Sequence, residues 1–170
     1  MRRGFTLVEI LVVLGIISVL ACIVVPSMEI VKARAASAGC LSNLKAIGIG
    51  LNLYLADNQN TMPNLKAARA SVDEDVPVLD NTLAKYVDDA RVFTCPAGVG
   101  VAKTTGTSYY WDSVLSGQAV ASLNFLGMIT DLSKIPIVLD KEGWHKYTDN
   151  KVNHLFADGH AATELRLFTQ

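Results

Sequence analysis

Residues 5–25 form an apolar run of 21 residues that contains a single charge, Glu9. No other feature constrains the fold of this chain as strongly. At 1.5 Å per residue the run makes a helix of ~31 Å, close to the hydrocarbon thickness of a bilayer. A carboxylate inside such a run is costly, roughly 2.5–3.5 kcal/mol at a helix centre. Glu9 therefore needs either a partner or a route to water. It stands six residues before the middle of the run, about 1.7 turns, on the side of the near interface, so snorkelling to that interface is one route.

The charges before the run, Arg2 and Arg3, are both basic. The positive-inside rule places residues 1–4 in the cytoplasm and everything after the run across the membrane. An ordinary secretory signal has a shorter apolar region, about 7–15 residues, and then a small-residue cleavage site. Here Ile23-Val24-Val25-Pro26 stands in that place. Val19-Leu20-Ala21-Cys22 loosely resembles a lipoprotein signal, but Leu20 fits poorly and apolar residues continue beyond the cysteine. The reading that remains is an anchor that stays attached to its domain.

The 170 residues allow one ordinary domain plus this appendage. The hydrophobic share is 51%, much of it in the first 26 residues, and from Ser27 the composition is that of a soluble, mildly acidic domain. The net charge is −1 and the basic residues are scattered, which argues against a nucleic-acid partner. Of the three cysteines, Cys22 lies in the apolar run. Cys40 and Cys95 lie outside it, as a disulfide pair or as two buried thiols acting as small apolar residues. No C-x-x-C occurs, so a thiol redox motif or zinc ribbon is not indicated.

Pro26 is expected to kink the helix, because it removes a backbone donor and crowds the preceding turn. Beyond it, Cys40, Leu44, Ile47, Leu51 and Tyr54 recur at helical spacing, with Lys32, Arg34, Lys45 and Asn52 mostly off that stripe. Gly39, Gly48 and Gly50 weaken helix propensity and suit close packing. Asp57-Asn58-Gln59-Asn60 and Pro63 should end the helix near Asp57. The apolar stripe requires a globular head to cover the second half of the helix, and lipid or other subunits to cover the first.

In the head, residues 80–87 read as a short helix, 91–94 as a strand before Cys95-Pro96, and the glycines at 98, 100 and 106 as an irregular loop. Tyr109-Tyr110-Trp111 reads as a strand or a core packing block, and Ile137-Val138-Leu139 as a further strand. At the end, Asp158-Gly159 between two short runs signals a two-residue hairpin turn. That register puts Val152, His154, Phe156, Ala161, Thr163 and Leu165 on the core face, with Asn153, Leu155, Ala157, His160, Ala162 and Glu164 opposite. His154 and His160 then face apart, which argues against one shared metal ion. His145 and the aspartates at 140 and 158 invite a metalloenzyme reading, but H-E-x-x-H, a nucleophile elbow and a phosphate loop are all missing from the sequence.

Gly4-Phe5-Thr6-Leu7-Val8-Glu9, behind a short basic leader and ahead of an unbroken apolar helix with Pro26 at its end, resembles the prepilin signal of type IV pilins and type II secretion pseudopilins. "HLFADGHA" is similar to the F-x-D-G-H segment of a bacterial pseudopilin-like group, whose members also carry a cysteine after the long helix and a mid-chain Cys-Pro. The resemblance implies an α+β fold in which a long N-terminal helix, membrane-spanning in its first half, packs on a small antiparallel sheet. It divides the chain into a leader (1–4), a transmembrane assembly helix (5–26), its amphipathic continuation (27–57) and a pseudopilin head (58–170). It implies cleavage by a prepilin peptidase between Gly4 and Phe5, methylation of the new Phe5 amine, and pairing of Glu9 with the amine of a neighbouring subunit. The implied role is structural and non-catalytic. The implied partners are the peptidase, inner-membrane lipid, an assembly platform and like subunits in a helical filament, with the head outside the cytoplasm. No cofactor is implied beyond calcium, which related major pseudopilins bind. Asp131, Asp140, Glu142 and Asp149 offer oxygens for it, without a loop spacing that identifies a site. The alternative is an anchored binding or enzymatic module that never polymerises.

Overall fold

The computed structural model describes residues 6–146 and 151–165, without the side chain of Pro26. The first element, α1, is a helix of 51 residues, Leu7–Asp57, and so ~77 Å long at 1.5 Å per residue. It runs unbroken across position 26. The kink expected from the Pro26 ring rests on a side chain outside the described residues.

Along α1 the environment changes abruptly. The described side chains from Leu7 to Lys32 are all exposed. From Ser37 onward one face is buried, through Cys40, Leu44, Ile47, Leu51 and Leu55, at the spacing of a single helical stripe. Lys32, Arg34, Lys45 and Asn52 remain exposed on the other faces. At the C-terminus the Asn58 amide bonds back to the Leu55 carbonyl. Gln59 and Asn60 then take left-handed backbone, at φ 55° and 52°, and turn the chain back.

The head lays a four-stranded antiparallel sheet against this stripe, in the order β1 (Tyr109–Trp111), β2 (Pro136–Asp140), β3 (His154–Phe156) and β4 (Ala161–Ala162). Tyr109 lies opposite Asp140, and Leu139 opposite His154. The helix α1 packs on β3 and β4, with Leu155 wholly buried in the shared core. A β-carbon at Gly48 would come within 3.0 Å of a Leu155 methyl, and one at Gly50 within 2.7 Å of Val87, so both glycines let the helix approach the head closely. Tyr109 and Trp111 are core residues, whereas Tyr110 points outward.

Two expectations are corrected and a third is met with shifted bounds. The segment expected as a strand at 91–94 is a 3₁₀ turn, Ala90–Phe93. Asp89 caps it by accepting from the Arg91 amide at 2.9 Å while holding the Arg91 guanidinium, a local bond that competes with sheet pairing. The loop expected around 98–106 is largely the helix α3, Val99–Thr105. Gly106 closes it in left-handed backbone at φ 83°, its amide reaching the Ala102 carbonyl, so this glycine is a helix stop rather than a sign of irregularity. The helix expected at 80–87 is α2, Leu79–Leu83, continued as a 3₁₀ turn Ala84–Tyr86, with Leu83 buried.

The last hairpin also differs by one residue. His154 pairs with Ala162 and Leu155 with Ala161. Phe156 exchanges bonds with the loop, donating to the His160 carbonyl and accepting from the Gly159 amide, each at 2.9 Å. The reversal therefore spans Ala157, Asp158 and Gly159, with Gly159 left-handed at φ 90° in the third position. Asp158 holds the turn by accepting from the His160 amide at 3.1 Å. The longer loop shifts the register. Independently of the register, β3 is buried along its whole length, so Leu155, expected on the outer face, is core together with His154 and Phe156, whereas Leu165, expected in the core, is 42% exposed.

Candidate functional site

Gly4 and Phe5, the residues of the expected cleavage point, lie outside the described residues, as does Asp149. The structure begins at Thr6, which caps α1. The Thr6 hydroxyl accepts from the Glu9 amide at 3.3 Å, and Glu9 Oε2 accepts from the Thr6 amide at 2.7 Å and the Thr6 hydroxyl at 2.8 Å. This is a capping box, which satisfies two of the free donors at the helix start. The carboxylate that needs a partner or a route to water thus folds back onto its own helix end. The signal is present in the sequence as Thr and Glu three residues apart, and an expectation centred on the charge of Glu9 passes over Thr6.

Below the cap the helix presents bare hydrocarbon. Leu7 is 81% exposed and Val25 68%. The helix is long and apolar enough to cross a membrane, with a mean hydropathy of 3.0 over its most apolar stretch.

A second, polar assembly lies in the head. Cys40 of α1 and Cys95 are joined by a disulfide, with Cα atoms 4.9 Å apart. It ties the helix stripe to the segment just after the Ala90–Phe93 turn. The bond sits among polar groups. Asp140, from the end of β2, places Oδ1 3.5 Å from Cys40 Sγ. Its Oδ2 accepts from the Asn153 amide at 2.7 Å and lies 3.1 Å from His145 Nε2. His145 Nε2 is in turn 3.8 Å from Cys95 Sγ. The Tyr109 hydroxyl donates to Cys40 Sγ at 3.6 Å, and burial holds that phenol far above its ordinary range, so it stays protonated. Cys40, Cys95, Asp140 and His145 are all essentially inaccessible to solvent. Nearby, burial holds the His154 imidazole below its ordinary value, the Asp140 carboxylate opposing it. The sequence reading names Asp140 and His145 as candidates, but nothing in their spacing links them to the cysteines.

The remaining candidates are dispersed. Asp131 is an exposed cap that accepts from the Ser133 amide and hydroxyl. Glu142 is exposed and accepts from the Trp144 indole. Neither joins Asp140 in a group of ligands among the described residues, where the gathered set is Cys40, Cys95, Asp140 and His145. His160 stacks on Phe156 at 4.3 Å and bonds to Asp158 at the hairpin tip. His154 is buried and is not part of a ligand group with it.

Residues 1–25 match the family model described as the prokaryotic N-terminal methylation motif. The chain is 35% identical over 96 residues to type II secretion system core protein G of Escherichia coli K12, covering 56% of this chain and 65% of that protein. It is 44% identical over 57 residues to type II secretion system core protein G of Klebsiella pneumoniae, covering 34% of this chain and 41% of the relative. It is 36% identical over 68 residues to competence protein ComGC of Halalkalibacterium halodurans, covering 40% of this chain and 67% of that protein. The chain spans less than two thirds of the length of the two type II secretion relatives. No solved structure matches it significantly.

Proposed function

We propose that this chain, which belongs to the family of type IV pilin-like and type II secretion pseudopilin proteins, is a structural subunit of a type IV filament, of the secretion pseudopilin kind. The observation that carries this reading is the exposed apolar half of α1 with a carboxylate at its start. So much bare hydrocarbon needs lipid before assembly and the helices of like subunits after it.

Processing would remove residues 1–4 at the Gly4–Phe5 bond and expose the Phe5 amine, which is then methylated. The carboxylate of Glu9 would exchange its local bonds to Thr6 for the amine of a neighbour. That exchange suits a subunit that is stored before it polymerises, because the capping box keeps the carboxylate hydrogen-bonded in the lone chain. An ionic pair between helices would then fix the axial register of one subunit on the next. The head would ride outside the cytoplasm on the buried half of α1. The alternative, an anchored enzymatic module, would need an accessible reactive group, and the Asp140–His145 pair is buried.

The test is paired variants in a host that carries a prepilin peptidase and an assembly platform. Gly4→Val should leave the full-length, unprocessed mass in the membrane. Glu9→Ala should be processed normally but yield few sheared filaments, because losing one partner of a buried ion pair costs ~3–5 kcal/mol. Normal filament yield from Glu9→Ala would refute the pairing, and a mature N-terminus at Phe5 in Gly4→Val would refute the cleavage point.

A further inference from the structure

We propose that Cys40, Cys95, Asp140 and His145 form a zinc site when the disulfide is reduced, so that the head has two mutually exclusive staples, a disulfide and a metal ion. The four groups converge from α1, the segment after the Ala90–Phe93 turn, β2 and the segment following it. One ligand atom from each lies within 4.8 Å of all the others.

One atom from each residue lies close enough to the others to converge on a single ion, with one Asp140 oxygen facing His145 and the other facing Cys40. Zinc bonds of about 2.0–2.3 Å at tetrahedral angles place neighbouring ligand atoms ~3.3–3.8 Å apart. The observed separations are 3.1 Å from His145 Nε2 to Asp140 Oδ2, 3.5 Å from Asp140 Oδ1 to Cys40 Sγ and 3.8 Å from His145 Nε2 to Cys95 Sγ. The Asp140–His145 pair is slightly tighter than that range, and the two bonded sulfurs are closer still until cutting their bond lets them part. Two thiolates and an imidazole select zinc over calcium or magnesium, which take oxygen ligands.

The surroundings match a metal site better than a disulfide. A disulfide needs no polar neighbours, and its sulfur has no proton to give the Asp140 oxygen beside it. A zinc thiolate, by contrast, gains from donors. The Tyr109 hydroxyl already donates to Cys40 Sγ, and the Asn153 amide holds the Asp140 carboxylate in place. Such outer contacts orient ligands and tune their affinity.

The chemistry balances with one dithiol donor. Its two thiols pass two electrons and two protons to the Cys40–Cys95 bond, giving two thiols and a disulfide on the donor. Zinc then displaces the two thiol protons. In reverse, a disulfide-bearing oxidant takes two electrons from the thiolates and two protons from water, becomes a dithiol, and leaves the Cys40–Cys95 bond re-formed and the ion released, so metal occupancy would report the dithiol–disulfide poise around the head.

The test uses the full-length chain in detergent with Cys22→Ser, which leaves Cys40 and Cys95 as its cysteines. The chain is reduced with a phosphine, freed of reductant without air and titrated with Co2+ as a spectroscopic stand-in for Zn2+. The expected result is one equivalent bound, with sulfur-to-cobalt charge-transfer bands and the intense visible bands of tetrahedral cobalt, bleached by Zn2+. The oxidised chain should bind none. His145→Ala and Asp140→Asn, checked for an intact fold in their oxidised form, should each weaken binding ~100-fold or more, beyond the roughly 10–100-fold loss typical of an outer partner. Absence of the thiolate bands in the reduced chain overturns the proposal. So does equal uptake by a chain with both Cys40→Ser and Cys95→Ser. If reduction unfolds the head, recovery of its oxidised circular dichroism on adding Zn2+ supports the site, and failure to recover sinks it.

Discussion

Gly159 and Asp80 show how single residues carry the head. Gly159 sits at φ 90° with room around its α-carbon, its nearest neighbour being the Asn52 amide nitrogen at 3.6 Å from an added β-carbon. A side chain there is penalised by backbone conformation rather than by a clash. Gly159→Val should destabilise the head by ~1–3 kcal/mol, because a β-branched residue is an outlier at positive φ. Thermal melting checks this, and an unchanged midpoint would refute the turn geometry. Asp80 pairs with the Arg69 guanidinium, yet burial raises its carboxyl above the ordinary 3.8, outweighing the lowering by Arg69 and Lys141. A raised folded-state value means that the folded protein holds the proton more tightly than the unfolded chain does. The stability this adds is full below the unfolded value and is lost as pH rises through the folded one. The urea midpoint of Asp80→Asn, relative to the natural chain, should therefore rise as pH increases through the carboxylate range and then level off. A difference that stays constant with pH would contradict the assignment.

Among the elements, α1 does two jobs with one continuous helix, and the Cys40–Cys95 bond joins its second half to the head. The bond closes a loop of 55 residues. The chain-entropy model gives ~4 kcal/mol for a loop of that length, and measured values run lower when the native geometry resists. Reduction in the presence of a strong chelator should lower the urea midpoint by an amount worth ~2–4 kcal/mol. A midpoint indifferent to reduction would show that packing of Leu44, Ile47, Leu51 and Leu55 holds the helix to the sheet without the covalent tie. At the other end of α1, Thr6→Ala removes the hydroxyl half of the capping box, a loss of ~1 kcal/mol of local helix stability, while leaving the Glu9 bond to the Thr6 amide possible.

At the scale of the whole molecule, burial divides the chain more sharply than secondary structure does. Among the described residues, the first half of α1 shares no core with the head, whose buried side chains on the helix begin at Ser37. A chain starting at residue 30 should therefore be monomeric and soluble without detergent, with a single cooperative melting transition and the disulfide intact. The full-length chain should need lipid, detergent or its own copies to cover the exposed apolar face. Self-association of the shortened head to the same extent would locate the assembly surface in the head instead.

The boundary between what the sequence determined and what folding decided follows the range of the interactions. The apolar run, the stripe from Cys40 to Leu51 and the breakers after Asp57 are local patterns, so the long helix and its amphipathic half were legible from the residues alone. So were the strands at Tyr109–Trp111 and within Pro136–Asp140, where aromatic and β-branched residues cluster. The Ala90–Phe93 turn was not legible, because one bond from Asp89 to the Arg91 amide outweighed the strand propensity of Val92 and Phe93. The hairpin register was not legible either. Asp-Gly permits a two-residue or a three-residue loop, and the bonds of Phe156 with Gly159 and His160 set the longer one. The Cys40–Cys95–Asp140–His145 centre was the least legible. Its members stand as much as 105 residues apart, on elements that meet only when the sheet closes over the helix, and no local spacing encodes a meeting that the tertiary packing creates.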